Sequence, residues 1–256
     1  MTPRTRVRLC GPLGLEVDGR DLTAALPAGQ ARLLLAYLLA HGGGPVERME
    51  LVDLLWPDRP PRDPLAALRP ILSRLRRTLA PVAIQGRERV RLVLPEPVSV
   101  DVDEAAGAPA RTALELIGPG FLPEVDADWT RTHRERVEQL RLAALERIGG
   151  ERAARELVAR APFRESGYRL LMEALAAAGN VAEALRVYEQ LRCLLRDELG
   201  VAPAPELAEL HRRLLAGETG RLSPVAGRSA ESSGLWSSGR RRAACVGRRP
   251  AAAGPA

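Results

Sequence analysis

The chain has 256 residues, enough for two modest cores, with 46% of them apolar, 27% charged and 3% aromatic. All 38 basic side chains are arginine, which excludes a phosphate-loop lysine, a Schiff base and a Ser-Lys dyad. Cys10, Cys193 and Cys245 are far apart, with neither CxxC nor Cys/His spacing, so no disulfide framework and no metal site is expected.

The N-terminus, Met1 to Arg8, lacks the apolar stretch of a signal peptide. The longest apolar run, Leu33 to Ala40, falls well short of the ~20 residues that cross a bilayer. The expectation is a soluble, cytoplasmic protein with no membrane partner. The net charge of +6 is unevenly spread. Residues 1–97 hold 15 Arg against 10 acidic residues, residues 98–216 hold 16 against 20, and residues 217–256 hold 7 against 2. A basic first third followed by an acidic middle suits a nucleic-acid module joined to a protein-contacting one. Composition is also compatible with scattered solvated charge, so the patterning has to decide.

Alternation through Val7 and Leu9, then Leu13, Leu15 and Val17, predicts short strands, with Asp18-Gly19 as a hairpin turn. Gln30 to His41 reads as a buried helix stopped by Gly42-Gly43-Gly44, and a second helix covers about Arg48 to Trp56 and ends at Pro57. A proline-rich exposed loop, Asp58 to Arg62, precedes a third helix that starts with Asp63 as N-cap and Pro64 at the first position. Leu65, Leu68, Leu72, Leu75 and Leu79 fall on one face of it. Ser73, Arg74 and Arg77 lie opposite, and Arg69 and Arg76 flank the leucine stripe. Guanidinium groups in this position suit bidentate contacts to guanine edges and to phosphates. Pro70 removes one amide inside the helix and predicts a kink or a late start.

Val82 to Ile84, then Gln85-Gly86, then Arg87, Arg89 and Arg91 alternating with Val90, Leu92 and Leu94 predict a β-hairpin whose outward side chains are arginines. Strands, three helices and a basic terminal hairpin make a winged helix-turn-helix, whose third helix enters the major groove while the wing reaches a neighbouring minor groove or phosphates.

The runs GPLGLEVDGRDL, LPAGQARLLLAYLLAHGGGPVERMELVDLLWPD and ALRPILSRLRRTL, with LLWPD and SRLRR as their specific parts, resemble the DNA-binding domain of the Streptomyces antibiotic regulatory proteins. That domain is itself similar to the response-regulator winged helix. The resemblance implies that the third helix is the recognition helix, so that Ser73, Arg74, Arg76 and Arg77 contact DNA with Arg69 beside them, and that Arg87, Arg89 and Arg91 form the wing. It also implies that Pro57, Asp58, Arg59 and Arg62 belong to a loop that faces RNA polymerase, and that protomers pair head to tail, as a homodimer on promoter direct repeats.

Glu96 to Pro109 is acidic and proline-containing and reads as a linker or domain-entry segment. Helical patterning follows over Trp129 to Ile148, Glu151 to Arg160, Glu165 to Ala178 and Val181 to Glu198. Counted from Glu165, the residues Tyr168, Leu171, Leu175, Gly179, Ala184 and Tyr188 occupy positions 4, 7, 11, 15, 20 and 24, the packing positions of an about 34-residue TPR repeat. The segment around DELG-V-x-P-x-PEL resembles the bacterial transcriptional activator domain of the same family, and the two resemblances together span about residues 5 to 215. The preceding helical pair, around Leu140 to Pro162, is shorter than that family shows. From Gly217 the chain is rich in Gly, Ser, Ala, Pro and Arg without periodicity, which predicts a disordered basic tail, with Arg240 to Arg242 as a solvated run.

The expected fold is therefore mainly α with a small β component: a winged helix-turn-helix over 1–97, an all-α TPR-like domain over 98–216 and a tail over 217–256. The expected function is sequence-specific DNA binding that activates transcription, with duplex promoter DNA and RNA polymerase as partners and no cofactor. The competing reading is a TPR-like scaffold that acts through protein contacts alone. Arginines on both the third helix and the hairpin favour DNA. Catalysis is not expected: His41, His133 and His211 are scattered at surface or helix-end positions, and no nucleophile elbow, metal spacing or phosphate loop is present.

Overall fold

A computed structural model describes residues 4–26 and 29–218; the basic tail from residue 219 onward lies outside the described residues. Strands β1 (Thr5–Arg8), β2 (Gly14–Val17) and β3 (Arg20–Asp21) open the chain. Val7, Leu15 and Val17 bury against the helices, and Asp18 and Gly19 take the positive φ angles (50° and 79°) that a two-residue hairpin between β2 and β3 demands. Helix α1 (Gln30–Ala40) is followed by Gly42 and Gly43, both at positive φ, then by strand β4 (Val46–Glu47) and helix α2 (Arg48–Leu55).

Helix α3 (Pro64–Thr78) begins as expected, with the Asp63 carboxylate accepting the Ala66 N–H at 2.9 Å. It is helical without interruption from Pro64, so Pro70 does not delay the start. Leu68, Leu72, Leu75 and Leu79 are at most 1% exposed, whereas Leu65, expected in the same stripe, is 38% exposed. Its place in the first turn carries it past the end of the core. Strands β5 (Ala83–Gln85) and β6 (Arg89–Val93) form the hairpin, and β4 pairs with the other side of β6 to give a three-stranded sheet in the order β4-β6-β5. Gly86 turns the hairpin at φ 99°, where a Cβ would stand 1.7 Å from the Arg89 carbonyl oxygen, so only glycine fits.

Of the two readings of the 96–109 segment, a linker or a domain entry, regular structure over residues 98–107 fits the second. Strand β7 (Val98–Val100) adds parallel to β1, completing a sheet of order β3-β2-β1-β7, and helix α4 (Asp101–Gly107) follows at once. Helices α5 (Ala110–Ile117), α6 (Thr130–Ile148), α7 (Gly150–Arg160), α8 (Glu165–Ala177), α9 (Val181–Leu199) and α10 (Pro205–Leu215) complete the described chain. Tyr168, Leu171, Leu175, Ala184 and Tyr188 are all buried, as the repeat spacing predicts. The α8–α9 turn is closed by Gly179 at φ 82°, with the Asn180 N–H donating to the Leu175 carbonyl at 2.8 Å and the Gly179 N–H to that of Ala176 at 3.0 Å.

One apolar cluster runs from Val7 to Ala144 and takes in both sheets, α1 to α5 and part of α6; a second, from Ala154 to Leu214, joins α7 to α10. Leu142, Leu145, Ala153 and Leu157 form a small cluster between them. Among the described residues no helix is long and apolar enough to cross a membrane.

Candidate nucleic-acid interface

Helix α3 packs on α1 and α2 through its leucines, which leaves the opposite side free. Arg69, Ser73, Arg74, Arg76 and Arg77 are all exposed there. Among the described residues, the guanidinium groups of Arg69, Arg74 and Arg77 have no internal partner, so their donors point to solvent. Arg76 differs: its Nε donates to the Ile84 carbonyl at 3.0 Å, tying the helix to the first strand of the wing. Pro70 has a surface role, because with Ala67, Ile71, Arg74 and Trp56 it lines an open cavity of about 580 Å³ beside the N-terminus of α1.

The wing sheet has two chemically distinct faces. Val46, Ile84, Val90 and Leu92 are buried on the inner one. The outer face presents Arg89 directly opposite Glu47, with Nε to Oε1 at 2.6 Å, and Arg91 directly opposite Gln85, with an Nη to Oε1 distance of 3.0 Å. Arg87, at the tip, is exposed and has no internal partner among the described residues. Pro57, Asp58, Arg59 and Arg62 are exposed in the loop between α2 and α3, also unpaired. Strand β4, the Arg76 tie and the Glu47 pairing were not legible in the sequence. A two-residue strand carries no periodicity, and Glu47 is 42 residues from its partner.

Helix α4 packs against β1 and β7, and α5 and α6 pack on α4. The buried Asp101 carboxylate accepts the N–H groups of Leu9 (2.9 Å), Cys10 (2.7 Å) and Val102 (2.8 Å). Burial pushes its pKa up, and the three amides oppose that shift. Burial, reinforced by the Asp101 charge, pushes the Cys10 thiol up to about 12, which keeps it a protonated core group. Arg134 donates to the carbonyls of Phe121, Leu122 and Val125, and Arg141 to that of Gly118, so the α5–α6 loop is held rigidly. Trp129 meets Tyr37 of α1 edge-on at 5.1 Å between ring centroids. His133 stacks on Phe121 at 4.7 Å; of the surface or helix-end positions expected, it takes the helix end, in the first turn of α6, and is half-buried in this cluster.

Residues 98–215 match the family model of the bacterial transcriptional activator domain. The regulatory protein AfsR of Streptomyces coelicolor is 36% identical over 240 aligned residues, covering 82% of this chain and 24% of AfsR. The transcriptional regulator RedD of the same organism is 29% identical over 247, covering 82% of this chain and 70% of RedD. The chain thus spans about a quarter of the length of AfsR. Among solved structures, Mycobacterium tuberculosis EmbR, in complex with a low affinity phosphopeptide, superposes with a TM-score of 0.63 at 22% identity, covering 84% of this chain and 66% of EmbR, and shares the fold. With a winged helix-turn-helix followed by a TPR-like domain that matches the bacterial transcriptional activator domain over residues 98–215, the chain resembles the Streptomyces antibiotic regulatory protein (SARP-type) regulators.

Proposed function

We propose that this chain is a sequence-specific DNA-binding transcription activator, working in the cytoplasm by binding and without catalytic turnover. The observation that carries this reading is the outer face of α3, where Arg69, Arg74 and Arg77 stand exposed and unpaired next to the basic wing. Unpaired guanidinium groups on a helix held by its opposite face have donors free for guanine edges and phosphates. Ser73, Arg74 and Arg77 are assigned to the major groove, Arg87, Arg89 and Arg91 to the wing contact, and Arg69 and Arg76 to the flank of the recognition helix. Residues 1–97 carry the DNA contacts and residues 98–216 the assembly function, a division supported by the family match over 98–215. The loop bearing Pro57, Asp58, Arg59 and Arg62 faces RNA polymerase, and two protomers bind head to tail on direct repeats.

An operator selected from a random-sequence pool, followed by footprinting and a salt titration, tests this. Two protected half-sites about one helical turn apart are expected, with log K falling against log salt by close to 0.9 for each phosphate neutralised. A slope near zero would sink the DNA reading, and one half-site saturated by a single protomer would sink the pairing.

A further inference from the structure

The outer face of the wing treats its two central arginines differently. Arg91 is bridged to Gln85, a neutral amide, and keeps its full positive charge. Arg89 is bridged to the Glu47 carboxylate, and the pair has no net charge. Both members are well exposed, at 67% and 54% of the side chain, so the bridge is open to solvent and to exchange. Glu47 is fixed opposite Arg89 by the β4–β6 register, and the neighbouring Arg48 N–H donates to the Glu88 carbonyl at 3.2 Å, holding the short strand against the wing tip.

We propose that Glu47 is a selectivity residue of the wing, one that withholds Arg89 from DNA until the recognition helix is seated; this rests on the DNA-binding function proposed above. A phosphate oxygen and the Glu47 carboxylate compete for the same guanidinium donors. An exposed ion pair is weak, so a phosphate positioned by a correctly docked α3 displaces Glu47. On non-operator duplex no such positioning exists and the exchange brings little gain, since the incoming phosphate also meets the Glu47 charge. Arg91, Arg87 and the free arginines of α3 supply the sequence-independent attraction, while Arg89 adds to affinity chiefly on the operator.

The test is fluorescence anisotropy with the full chain on a mixed-sequence duplex and on the selected operator, over a range of salt, for wild type, Glu47→Gln, Arg89→Gln, Arg91→Gln and the double variant Glu47→Gln/Arg89→Gln. Glu47→Gln is expected to tighten mixed-sequence binding by roughly three- to tenfold at low salt, steepen its salt slope by about 0.9 and narrow the operator preference. The double variant should lose that gain, because it runs through Arg89. Arg91→Gln should flatten the mixed-sequence slope by about one unit, and Arg89→Gln alone should barely change it. If Glu47→Gln disturbs β4, the contrast between the single Arg89 and Arg91 variants still decides. Unchanged mixed-sequence affinity in folded Glu47→Gln, a gain that survives in the double variant, or equal effects of Arg89→Gln and Arg91→Gln would overturn the proposal while leaving DNA binding intact. Wild type that binds neither duplex in a salt-dependent way would overturn the function on which it rests.

Discussion

The Asp101 carboxylate, in the first turn of α4, accepts the backbone N–H of Leu9 at 2.9 Å, although 92 residues separate the two along the chain. Removing the carboxylate strands the buried amides of Leu9 and Cys10, each of which has Asp101 as its acceptor. Asp101→Ala is expected to destabilise the protein by about 2 to 5 kcal/mol, as buried donors left unsatisfied do. Urea unfolding followed by circular dichroism measures this; a loss under about 0.5 kcal/mol would show that water replaces the carboxylate.

Arg74 and Arg76 are two residues apart on α3 and should fail differently. Arg74→Ala removes donors that face only solvent, so it should weaken operator binding by about 1 to 3 kcal/mol and relax one operator position without altering stability. Arg76→Ala breaks the bond to the Ile84 carbonyl and should lower stability by about 1 kcal/mol as the wing loosens. Parallel melting and binding measurements separate them. Equal melting temperatures for the two variants would refute the structural role of Arg76.

His133 makes stability depend on pH. Burial first, then the charges of His41 and Arg136, hold its pKa below the ordinary value of 6.5. With the folded-state value depressed, the unfolded chain takes up the proton first as pH falls. Stability is therefore full above pH 6.5 and declines below it, at a slope of up to about 1.4 kcal/mol per pH unit from this residue. In His133→Gln this component of the slope should vanish between pH 6.5 and pH 5, which denaturant titrations across that window would show.

Gly86→Ala is expected to disrupt the wing hairpin while sparing the apolar cluster of α7 to α10, because the added Cβ would collide with the Arg89 carbonyl oxygen in a positive-φ turn. Faster amide exchange confined to β5 and β6, with weaker binding to all duplexes, is the expected signature. Unchanged exchange there would mean that the hairpin re-forms around alanine.

Local patterning determined much of this protein. The leucine spacing of α3, its Asp63-Pro64 start, the Asp-Gly hairpin and the small and aromatic packing positions of α8 and α9 act within a turn or two of chain, so their physics is written in neighbouring residues. Arg74 and Arg77 could be placed on the outward face for the same reason. Tertiary structure decided what distant segments do to each other. Residues 98–107, part of the acidic segment flanked by Pro97 and Pro109 that reads as a linker or domain-entry segment, become β7 and α4 because β1 offers an open edge and Asp101 satisfies the amides of Leu9 and Cys10 just past its end. His133, a surface or helix-end residue by its pattern, lies in the first turn of α6 and is half-buried because Phe121 stacks on it and Trp129, itself edge-on to Tyr37, packs beside it. Glu47 carries no signal as one acid between an apolar residue and an arginine. Only the β4–β6 register sets it against Arg89, since a two-residue strand is specified by its partner's unpaired backbone and not by any period of its own.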